Sequence, residues 1–318
     1  MRRGRGNEGR NSLKKYDVIA LGEALIDYIP TGSEVCGGYR AAVGGAPLNL
    51  AMGIARLSGS SALIARVGSD PLGREIVNTL TRGAADCSLI QSDVSRPTTV
   101  TVVMPESADD QRYIMYRGDT ADNAIVWEEI PDAVFDCTYI LHIGALLSTL
   151  PERAGEVLEI LRKAKQHGAV ISFDVNMRPG CWKRTEDMIA RSREIFEYCD
   201  IIKMTAEEEA QMKLFLLDAS RQGKVIVVTD NENTVRAYWN GICMEKPVKK
   251  VETIDATGAG DAFFAAFLYE YISNIKADRE IGKKEIERCM EIAMKAGAYA
   301  VQNVGAFNSC PTHEVLYG

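Results

Sequence analysis

The chain has 318 residues, of which 46% are hydrophobic and 25% are charged, and both values are typical of a globular protein. No apolar stretch reaches the roughly 18 residues of a membrane-spanning helix, and the start MRRGRGNEGR lacks the apolar region of a secretory signal. The composition therefore excludes wholesale disorder, collagen and coiled coil. We expect a cytoplasmic protein with no membrane partner.

The charge is unevenly distributed along the chain. The net charge is −7, yet the first 15 residues hold six basic groups and only one acidic group. The remaining acidic chain does not resemble a nucleic-acid-binding protein, so no nucleic-acid partner is expected. We interpret residues 1–15 as a flexible basic leader without a function of its own.

Cysteine and histidine give no sign of a disulfide framework or a zinc site. The eight cysteines contain no CxxC pair, and only three histidines are present. We expect free thiols that mostly serve packing.

Short apolar runs alternate with helical patterns along the chain. Strands are predicted at residues 16–21, 62–67, 139–143, 169–173, 201–203 and 225–229, and helices at 48–57, 71–81, 151–167 and 185–198. Asp70 is the expected cap of the second helix, with Pro71 in its first turn. This alternation predicts an α/β fold whose mostly parallel sheet is covered on both faces.

Two segments break the alternation. Residues 96–117 form two β-rich runs joined by a polar loop, and residues 33–43 are a second non-helical insertion. We expect a small β lid built from about 30–43 and 96–118 on a single domain that spans residues 16–318. An ordinary edge hairpin explains the same pattern equally well.

The segment IDATGAGDAFF is the strongest candidate for chemistry. Gly258 and Gly260 lie in a small-residue loop that leads into an apolar helix with Asp261 in its first turn. Such glycines let backbone amides converge on an anion at the positive end of a helix, where Asp261 could accept a proton from a hydroxyl group. A capped helix after a glycine turn is the alternative. No GxxxxGK[ST] or strand-following GxGxxG offers another phosphate site.

Three further loops follow predicted strands, where ligands of open α/β sheets bind. Gly44, Gly45 and Asn49 in VGGAPLNLA could approach a polyol, and Asp27 in GEALID could bind two hydroxyls. A glycine turn and a solvated turn carboxylate are the respective alternatives.

The loop SFDVNMRPGCW carries Asp174, Asn176 and Arg178, which would point the same way if the chain stayed extended. A structural Asp–Arg pair is the alternative. In the following segment, Lys203, Thr205 and Glu208 form either a nucleotide and magnesium element or a strand with a capping box.

Together these motifs resemble the ribokinase-like (PfkB) carbohydrate kinases, and among them the fructokinases most closely. The resemblance runs from about Tyr16 to Pro311 through motifs in family order: GEALIDYIPTG, GGAPLNLAMGIARL, the YR of IMYRGDTAD, DVNMRPGCW, KMTAEEE and DATGAGDAF. It implies a three-layer α/β/α sandwich with a β lid that excludes water when it closes.

The resemblance also implies roles for individual residues. Asp261 is similar to the catalytic base, and the amides of Ala259, Gly260 and Asp261 are similar to the anion hole for the γ-phosphate, with Gly258 in the same catalytic loop. The implied sugar contacts are Asp27, Gly44, Gly45, Asn49, Arg117 and Arg178. The implied nucleotide contacts are Lys203, Thr205, Glu208 and Thr229, together with Gly258 and Gly260.

A monovalent-cation site is implied beside the anion site, and its oxygen ligands suit K⁺. The residues similar to that site are Asp255, Thr257, Ala300, Asn303, Gly305 and Ser309. Mg²⁺ is expected to arrive with ATP, with Glu208 in its outer shell.

One nucleotide motif departs from the family. The family usually has TxGxxG after the strand that ends at Thr229, whereas this chain reads TDNENT, with Asn231 and Thr234 at the glycine positions. Thr does not readily adopt a positive φ. The segment 214–222 is also short.

The leading hypothesis is an ATP-dependent kinase that phosphorylates a free hexose, with fructose to fructose 6-phosphate as the favoured reaction. The alternatives are 2-keto-3-deoxygluconate, ribose or a nucleoside as substrate, or a catalytically silent sugar-binding protein. Two lid sheets could pair, so a homodimer through the lid is also a hypothesis.

Overall fold

The computed structural model describes residues 13–32, 34, 37–105, 111–149, 153–182, 184–212, 216–230 and 233–318. Residues 1–12 of the expected leader, the hairpin tip at 106–110, Asn231 and part of the short 214–222 segment lie outside the described residues. Near the end of the expected leader, Lys14 contacts the body of the protein, since its Nζ donates to the Thr138 carbonyl at 2.7 Å.

Thirteen strands and ten α-helices occur within the described residues. The strands are Tyr16–Leu21 (β1), Leu25–Pro30 (β2), Tyr39–Gly44 (β3), Ser61–Gly68 (β4), Ile90–Asp93 (β5), Val100–Pro105 (β6), Gln111–Tyr116 (β7), Thr138–Ile143 (β8), Val170–Asp174 (β9), Ile201–Thr205 (β10), Val225–Asp230 (β11), Thr234–Trp239 (β12) and Ile242–Pro247 (β13). The helices are Ala46–Arg56 (α1), Pro71–Arg82 (α2), Ala133–Asp136 (α3), Ala154–Gln166 (α4), Thr185–Tyr198 (α5), Ala206–Met212 (α6), Leu216–Ser220 (α7), Ala259–Lys276 (α8), Lys283–Ala300 (α9) and His313–Tyr317 (α10).

The central sheet has nine strands in the order β13-β12-β11-β10-β9-β8-β1-β4-β5. The seven strands from β11 to β5 pair in parallel, and β12 and β13 add an antiparallel edge. The apolar runs form this sheet because their side chains are buried on both faces: in β1, Ile19 and Leu21 pack on one side and Val18 on the other.

Helices cover both faces of the central sheet. The core on one face includes Val157 of α4 and Ile195 of α5, and the other includes Leu50 of α1 and Phe264 of α8. The predicted α/β/α sandwich is confirmed. In the described part of the chain, no helix is both long and apolar enough to cross a membrane.

A second sheet of four strands, in the order β3-β2-β6-β7, forms the small β lid. The expected hairpin is the antiparallel β6–β7 pair. The sheet begins at Leu25, before the expected start at about residue 30, because β2 pairs along its whole length with β3. Asp27 therefore lies on a strand and not in a turn.

Candidate active site

The candidate site lies at the carboxyl ends of the parallel strands, beneath the lid. Gly258, in the left-handed conformation at φ 75°, is the N-cap residue of α8. A Cβ at this position would meet the Ala306 backbone at 2.7 Å, so both φ and space require glycine. The turn at Gly258 therefore packs closely against the backbone of Ala306, and the amino end of α8 faces the site.

The first amides of α8 can hold an anion. The Ala259 amide donates to the Ala256 carbonyl at 3.2 Å, so it is partly engaged. Among the described residues, the Gly260 and Asp261 amides donate to no backbone carbonyl outside the helix. With the helix dipole behind them, these two amides form what we call the anion cradle.

Asp261 is held by Asn49 from α1. The Asn49 Nδ2 group donates to Asp261 Oδ2 at 2.8 Å, while the Asn49 Oδ1 atom is buried and has no partner. Burial raises the pKa of Asp261 to about 6, against the lowering effects of Asn49, Lys203 and Arg178. Above that pH the carboxylate is ionised and can accept a proton.

Gly44 and Gly45, which precede α1, leave room for an oxygen atom of Asp27 and one of Glu23. A Cβ at Gly44 would lie 2.1 Å from Asp27 Oδ2, and one at Gly45 would lie 2.6 Å from the Glu23 carbonyl. Gly45 also has φ 111°. Burial raises the pKa of Asp27 to about 6, and Asp261 adds to the rise while Arg178 opposes it.

Arg117, expected as a sugar contact, is already bonded within the protein. Its Nε donates to Asp122 Oδ2 at 2.5 Å and its Nη1 donates to the Thr149 hydroxyl, and both partners are buried. Asp122 also accepts from Thr99 just before β6. Arg117 therefore anchors the end of the lid in this conformation.

Arg178 reaches the site by a route that the sequence pattern did not predict. Asn176 has φ 35°, so the chain is not extended there, and the expected common direction of Asp174, Asn176 and Arg178 is wrong. Asn is one of the few residues that tolerate this conformation. The positive charge of Arg178 nevertheless lowers the pKa of the carboxyl groups of both Asp27 and Asp261.

Glu23 is a candidate site residue that the sequence analysis did not name. Only 4% of it is exposed, and its Oε2 atom has no partner. Burial raises its pKa to about 7, although Arg117 and Arg178 oppose the rise. An acidic residue two positions after a buried strand was the available signal.

Asp174 pairs with Lys203 rather than with Arg178. The Lys203 Nζ atom lies 2.8 Å from Asp174 Oδ2, and both side chains are buried. Burial would lower the pKa of Lys203, but Asp174, Glu208 and Asp261 raise it. A Cβ at Gly260 would lie 3.4 Å from the Lys203 ammonium group, so this positive charge lies beside the anion cradle.

Thr205 and Glu208 form the capping box. Glu208 Oε2 accepts from the Thr205 amide at 2.8 Å, and the Glu208 amide donates to the Thr205 hydroxyl at 3.2 Å. Glu208 Oε1 accepts from the Met177 amide at 2.5 Å. Both carboxylate oxygens thus hold backbone amides, which fits the outer-shell role toward magnesium that the resemblance implies.

The altered TDNENT loop causes no strain at Thr234. This residue begins β12 and pairs with Asp230 in an extended conformation, so the positive φ expected of a glycine position is not needed. Thr229 lies in β11, and its hydroxyl donates to the Met204 carbonyl at 3.5 Å.

Asp255 joins the two segments of the expected cation site. Its Oδ1 accepts from the Thr257 amide and its Oδ2 from the Gly305 amide, both at 2.9 Å. Although burial opposes it, these bonds lower the pKa of Asp255, so the group is ionised.

Thr257 lies beside Asp255, and the other expected cation ligands lie in the second segment, between residues 300 and 309. Ser309 donates to the Ala306 carbonyl at 2.6 Å, and the Asn303 amide donates to the Ala300 carbonyl at 3.0 Å. The ligand atoms expected at this cation site are all oxygens, which suit K⁺. No group of three or more His, Cys, Asp and Glu side chains suited to a metal ion occurs in the described part of the chain.

The chain is similar to carbohydrate kinases over nearly its whole length. Residues 15–313 match the family described as pfkB family carbohydrate kinase. A fructokinase from Klebsiella pneumoniae is 30% identical over 308 residues, which cover 94% of this chain and 97% of that protein.

Solved structures show the same ribokinase-like fold. A fructokinase from Xylella fastidiosa with bound ATP matches with a TM-score of 0.86 and 26% identity, covering 95% of this chain and 97% of that one. A fructokinase double mutant from Vibrio cholerae O395, in its fructose-, ADP- and potassium-bound form, matches with a TM-score of 0.84 and 28% identity, covering 96% and 99% of the two chains.

Proposed function

This chain belongs to the pfkB family of carbohydrate kinases, and from that premise we propose that it is an ATP-dependent fructokinase that phosphorylates the 6-hydroxyl of fructose. The family supports a phosphotransferase that acts on a sugar hydroxyl. The choice of fructose is supported by relatives that are named fructokinase at about 30% identity or below.

The bond between Asn49 and Asp261 is the observation that carries the proposal. It joins the glycine-rich start of α1 to the first turn of α8 at 2.8 Å, although the two residues are 212 positions apart. The candidate base therefore lies between a polyol-binding segment and the anion cradle. This is the arrangement that in-line transfer of a phosphoryl group to a sugar hydroxyl requires.

In the proposed reaction the sugar oxygen attacks the γ-phosphorus of ATP. The new bond forms between that oxygen and phosphorus, the bond from phosphorus to the β–γ bridging oxygen breaks, and ADP leaves. Asp261 accepts the hydroxyl proton, and the Gly260 and Asp261 amides stabilise the negative charge on the phosphoryl oxygens.

The sugar is proposed to bind between the lid and α1. Unpartnered oxygens there accept bonds from hydroxyl donors, and the buried Oδ1 of Asn49 is one of them. The remaining proposed contacts of the sugar are Asp27, Gly44, Gly45, Arg117 and Arg178.

ATP with Mg²⁺ is the proposed phosphoryl donor, as the ATP- and ADP-bound relatives support. Lys203 supplies a fixed positive charge beside the cradle, and Thr205, Glu208 and Thr229 lie along the proposed nucleotide side. A potassium ion near Asp255 would supply positive charge beside the phosphates, and the 255 and 305 segments would hold it.

Assembly is a separate proposal. Tyr116 lies on β7, the outermost strand of the lid sheet in the described part of the chain, and is 63% exposed; an edge strand can pair with a second copy. Sedimentation of the purified protein should then show a dimer.

A coupled assay that measures ADP release tests the proposed activity. Fructose, ribose, 2-keto-3-deoxygluconate and nucleosides are compared, each with and without K⁺. We expect fructose to give the highest kcat/KM and K⁺ to increase it. No turnover on any substrate, with sugar binding retained in calorimetry, would instead support a silent sugar-binding protein.

A further inference from the structure

Asp174 and Lys203 are neighbours across two strands of the central sheet. Asp174 is the last residue of β9, Lys203 lies in the middle of β10, and the two are direct partners in the parallel register. Register partners point to the same face of a sheet, so the two side chains meet. The Lys203 Nζ atom donates to Asp174 Oδ2 at 2.8 Å, and both side chains are buried.

The same ammonium group lies against the anion cradle. A Cβ at Gly260 would come within 3.4 Å of Lys203 Nζ and 3.8 Å of Lys203 Cε. The Gly260 amide is one of the two amides that form the cradle. An anion bound to that amide therefore lies within reach of the ammonium group, and their attraction is strong where water is largely excluded.

The Lys203 ammonium group has capacity left for such an anion. A lysine ammonium group carries three hydrogen-bond donors. Among the described residues, Asp174 is the one acceptor to which the Nζ atom donates. Two donors therefore remain for the oxygens of a phosphate group.

Asp174 in turn depends on Lys203. Its Oδ1 atom is buried and has no hydrogen-bond partner in the described part of the chain, so the ammonium group is the main compensation for the charge of the carboxylate. A buried ion pair with an unpartnered oxygen adds little to stability, because the loss of hydration offsets the attraction between the two charges. A contribution to stability therefore does not account for the pair.

Lys203 needs a negative partner to stay charged at this depth. The titratable groups that face it are Asp174 from β9, Glu208 from α6, Asp261 from α8 and His142 from β8. Burial would lower the pKa of Lys203, and Asp174 opposes this most strongly, ahead of Glu208 and Asp261. Burial, with help from Lys203, lowers the pKa of His142 to about 3, so that side chain is neutral.

We propose that Asp174 is a positioning residue that holds the Lys203 ammonium group beside the Gly260 amide, where the ammonium group binds the phosphate chain of ATP. This role rests on the proposed kinase function. Asp174 itself contacts neither substrate. A lysine side chain is a point charge on a flexible four-carbon stem, so an anchor is what makes its charge preorganised for phosphoryl transfer.

Asp174→Asn tests the role in turnover. The amide keeps the size of the side chain and an oxygen that can accept from Lys203, but it removes the negative charge. We expect kcat/KM for ATP to fall by about 10- to 100-fold at pH 8, since a small displacement within a site can have an effect of this size. The KM for fructose should change little.

The loss in Asp174→Asn should depend on pH. Without the carboxylate, the buried ammonium group gives up its proton more readily as the pH rises. The ratio of wild-type to variant affinity for the non-hydrolysable imido analogue of ATP should therefore grow between pH 6 and pH 9, as measured by calorimetry without turnover. A merely structural role would give a constant ratio and weaker fructose binding, and that result would contradict the inference.

A double-mutant cycle with Lys203→Met shows whether Asp174 acts through Lys203. If it does, the variant with both substitutions should bind the imido analogue no more weakly than Lys203→Met alone. The double variant should also unfold at a higher urea concentration than Lys203→Met, because the single variant leaves a buried carboxylate without its partner.

Asp17→Asn is the matched control. Asp17 is also a buried carboxylate, and its Oδ1 lies 2.5 Å from Nζ of Lys276, the last residue of α8, at the opposite end of that helix from Gly260. We expect Asp17→Asn to leave the affinity for the imido analogue and its pH dependence unchanged.

Three further results would overturn the inference. They are an unchanged kcat/KM for ATP in Asp174→Asn, losses in the double-mutant cycle that add in full, and an equal loss of analogue binding in Asp17→Asn. A wild type that binds the imido analogue but phosphorylates no sugar would refute the proposed function instead, and the calorimetric cycle would still decide the role of Asp174.

Discussion

The buried environment of Asp261 suits the proton acceptance that is proposed for it. Burial raises its pKa to about 6, while Asn49 holds one of its oxygens at 2.8 Å. A carboxylate that is costly to ionise is a better proton acceptor near neutral pH than a fully solvated one.

Asp261→Asn should lower kcat with fructose by 10²- to 10⁴-fold, the usual contribution of a general base. The amide keeps an oxygen that can accept from Asn49, so the dissociation constant for fructose in calorimetry should change little. The Asp261 carboxylate is unfavourable to ionise because it is buried. Replacing it should therefore also raise the free energy of unfolding at pH 8 by about 1 kcal/mol, measured by urea unfolding. Near-normal turnover would contradict the assignment of Asp261 as the base.

Asp70 serves two elements at once, the helix that it caps and the strand that enters the lid. Its Oδ1 accepts from the Gly73 amide at 2.8 Å at the start of α2, and its Oδ2 accepts from the Thr98 amide at 2.8 Å just before β6. Thr98 also donates its hydroxyl to Asp70 at 3.0 Å. The base of the lid is thus attached to the α/β body by the cap of α2.

Asp70→Ala should lower the free energy of unfolding by about 1 to 2 kcal/mol, the usual cost of a lost cap. A matched control is Asp132→Ala, because Asp132 precedes α3 without forming a cap bond, and its surface pair with Lys163 contributes little.

Despite some burial, the amides of Gly73 and Thr98 lower the pKa of Asp70. The contribution of Asp70 to the stability of the fold is therefore present above the unfolded pKa and lost as the pH falls. The difference between wild type and Asp70→Ala should therefore shrink toward pH 3 in urea unfolding. Equal losses in Asp70→Ala and Asp132→Ala would contradict this reading.

Across the molecule, the pKa values of some carboxyl groups are raised and those of others are lowered. Burial raises the pKa of Glu23 to about 7 and of Asp27 and Asp261 to about 6, whereas bonds to amides lower the pKa of Asp70 and Asp255 against the effect of burial. These three raised groups all lie in the candidate site, where their burial makes ionisation costly.

Stability and activity should therefore have different pH optima. A carboxyl group with a raised pKa holds more protons in the folded state than in the unfolded state between about pH 4 and 7, so stability falls as the pH rises through that window. The lowered groups lose their contribution below about pH 4. The urea midpoint should be highest near pH 5, whereas kcat/KM for fructose should rise through pH 6 as Asp261 ionises.

Glu23→Gln provides the control for the pH dependence. Because a neutral amide has no proton to lose, this variant should match the wild type near pH 5 and exceed its urea midpoint at pH 8. A wild-type midpoint that rises from pH 5 to pH 8 would contradict the assigned shifts.

Much of the fold follows from local sequence. The buried run of β1, the cap at Asp70 and the turn at Gly258 each depend on neighbours within a few residues, so periodicity and turn chemistry predict them. The lid was placed less well, because β2 contains no local signal that separates it from the loop after β1. The antiparallel strands β12 and β13 were missed.

The amino-acid sequence by itself determined the alternating elements, the parallel sheet and the residue types of the site. Only the tertiary structure decided which of those residues meet. Asn49 meets Asp261 across 212 positions, and Asp174 meets Lys203 and not Arg178. The physical reason is that such contacts are set by the order in which distant strands pair, which leaves no periodic or local pattern along the chain.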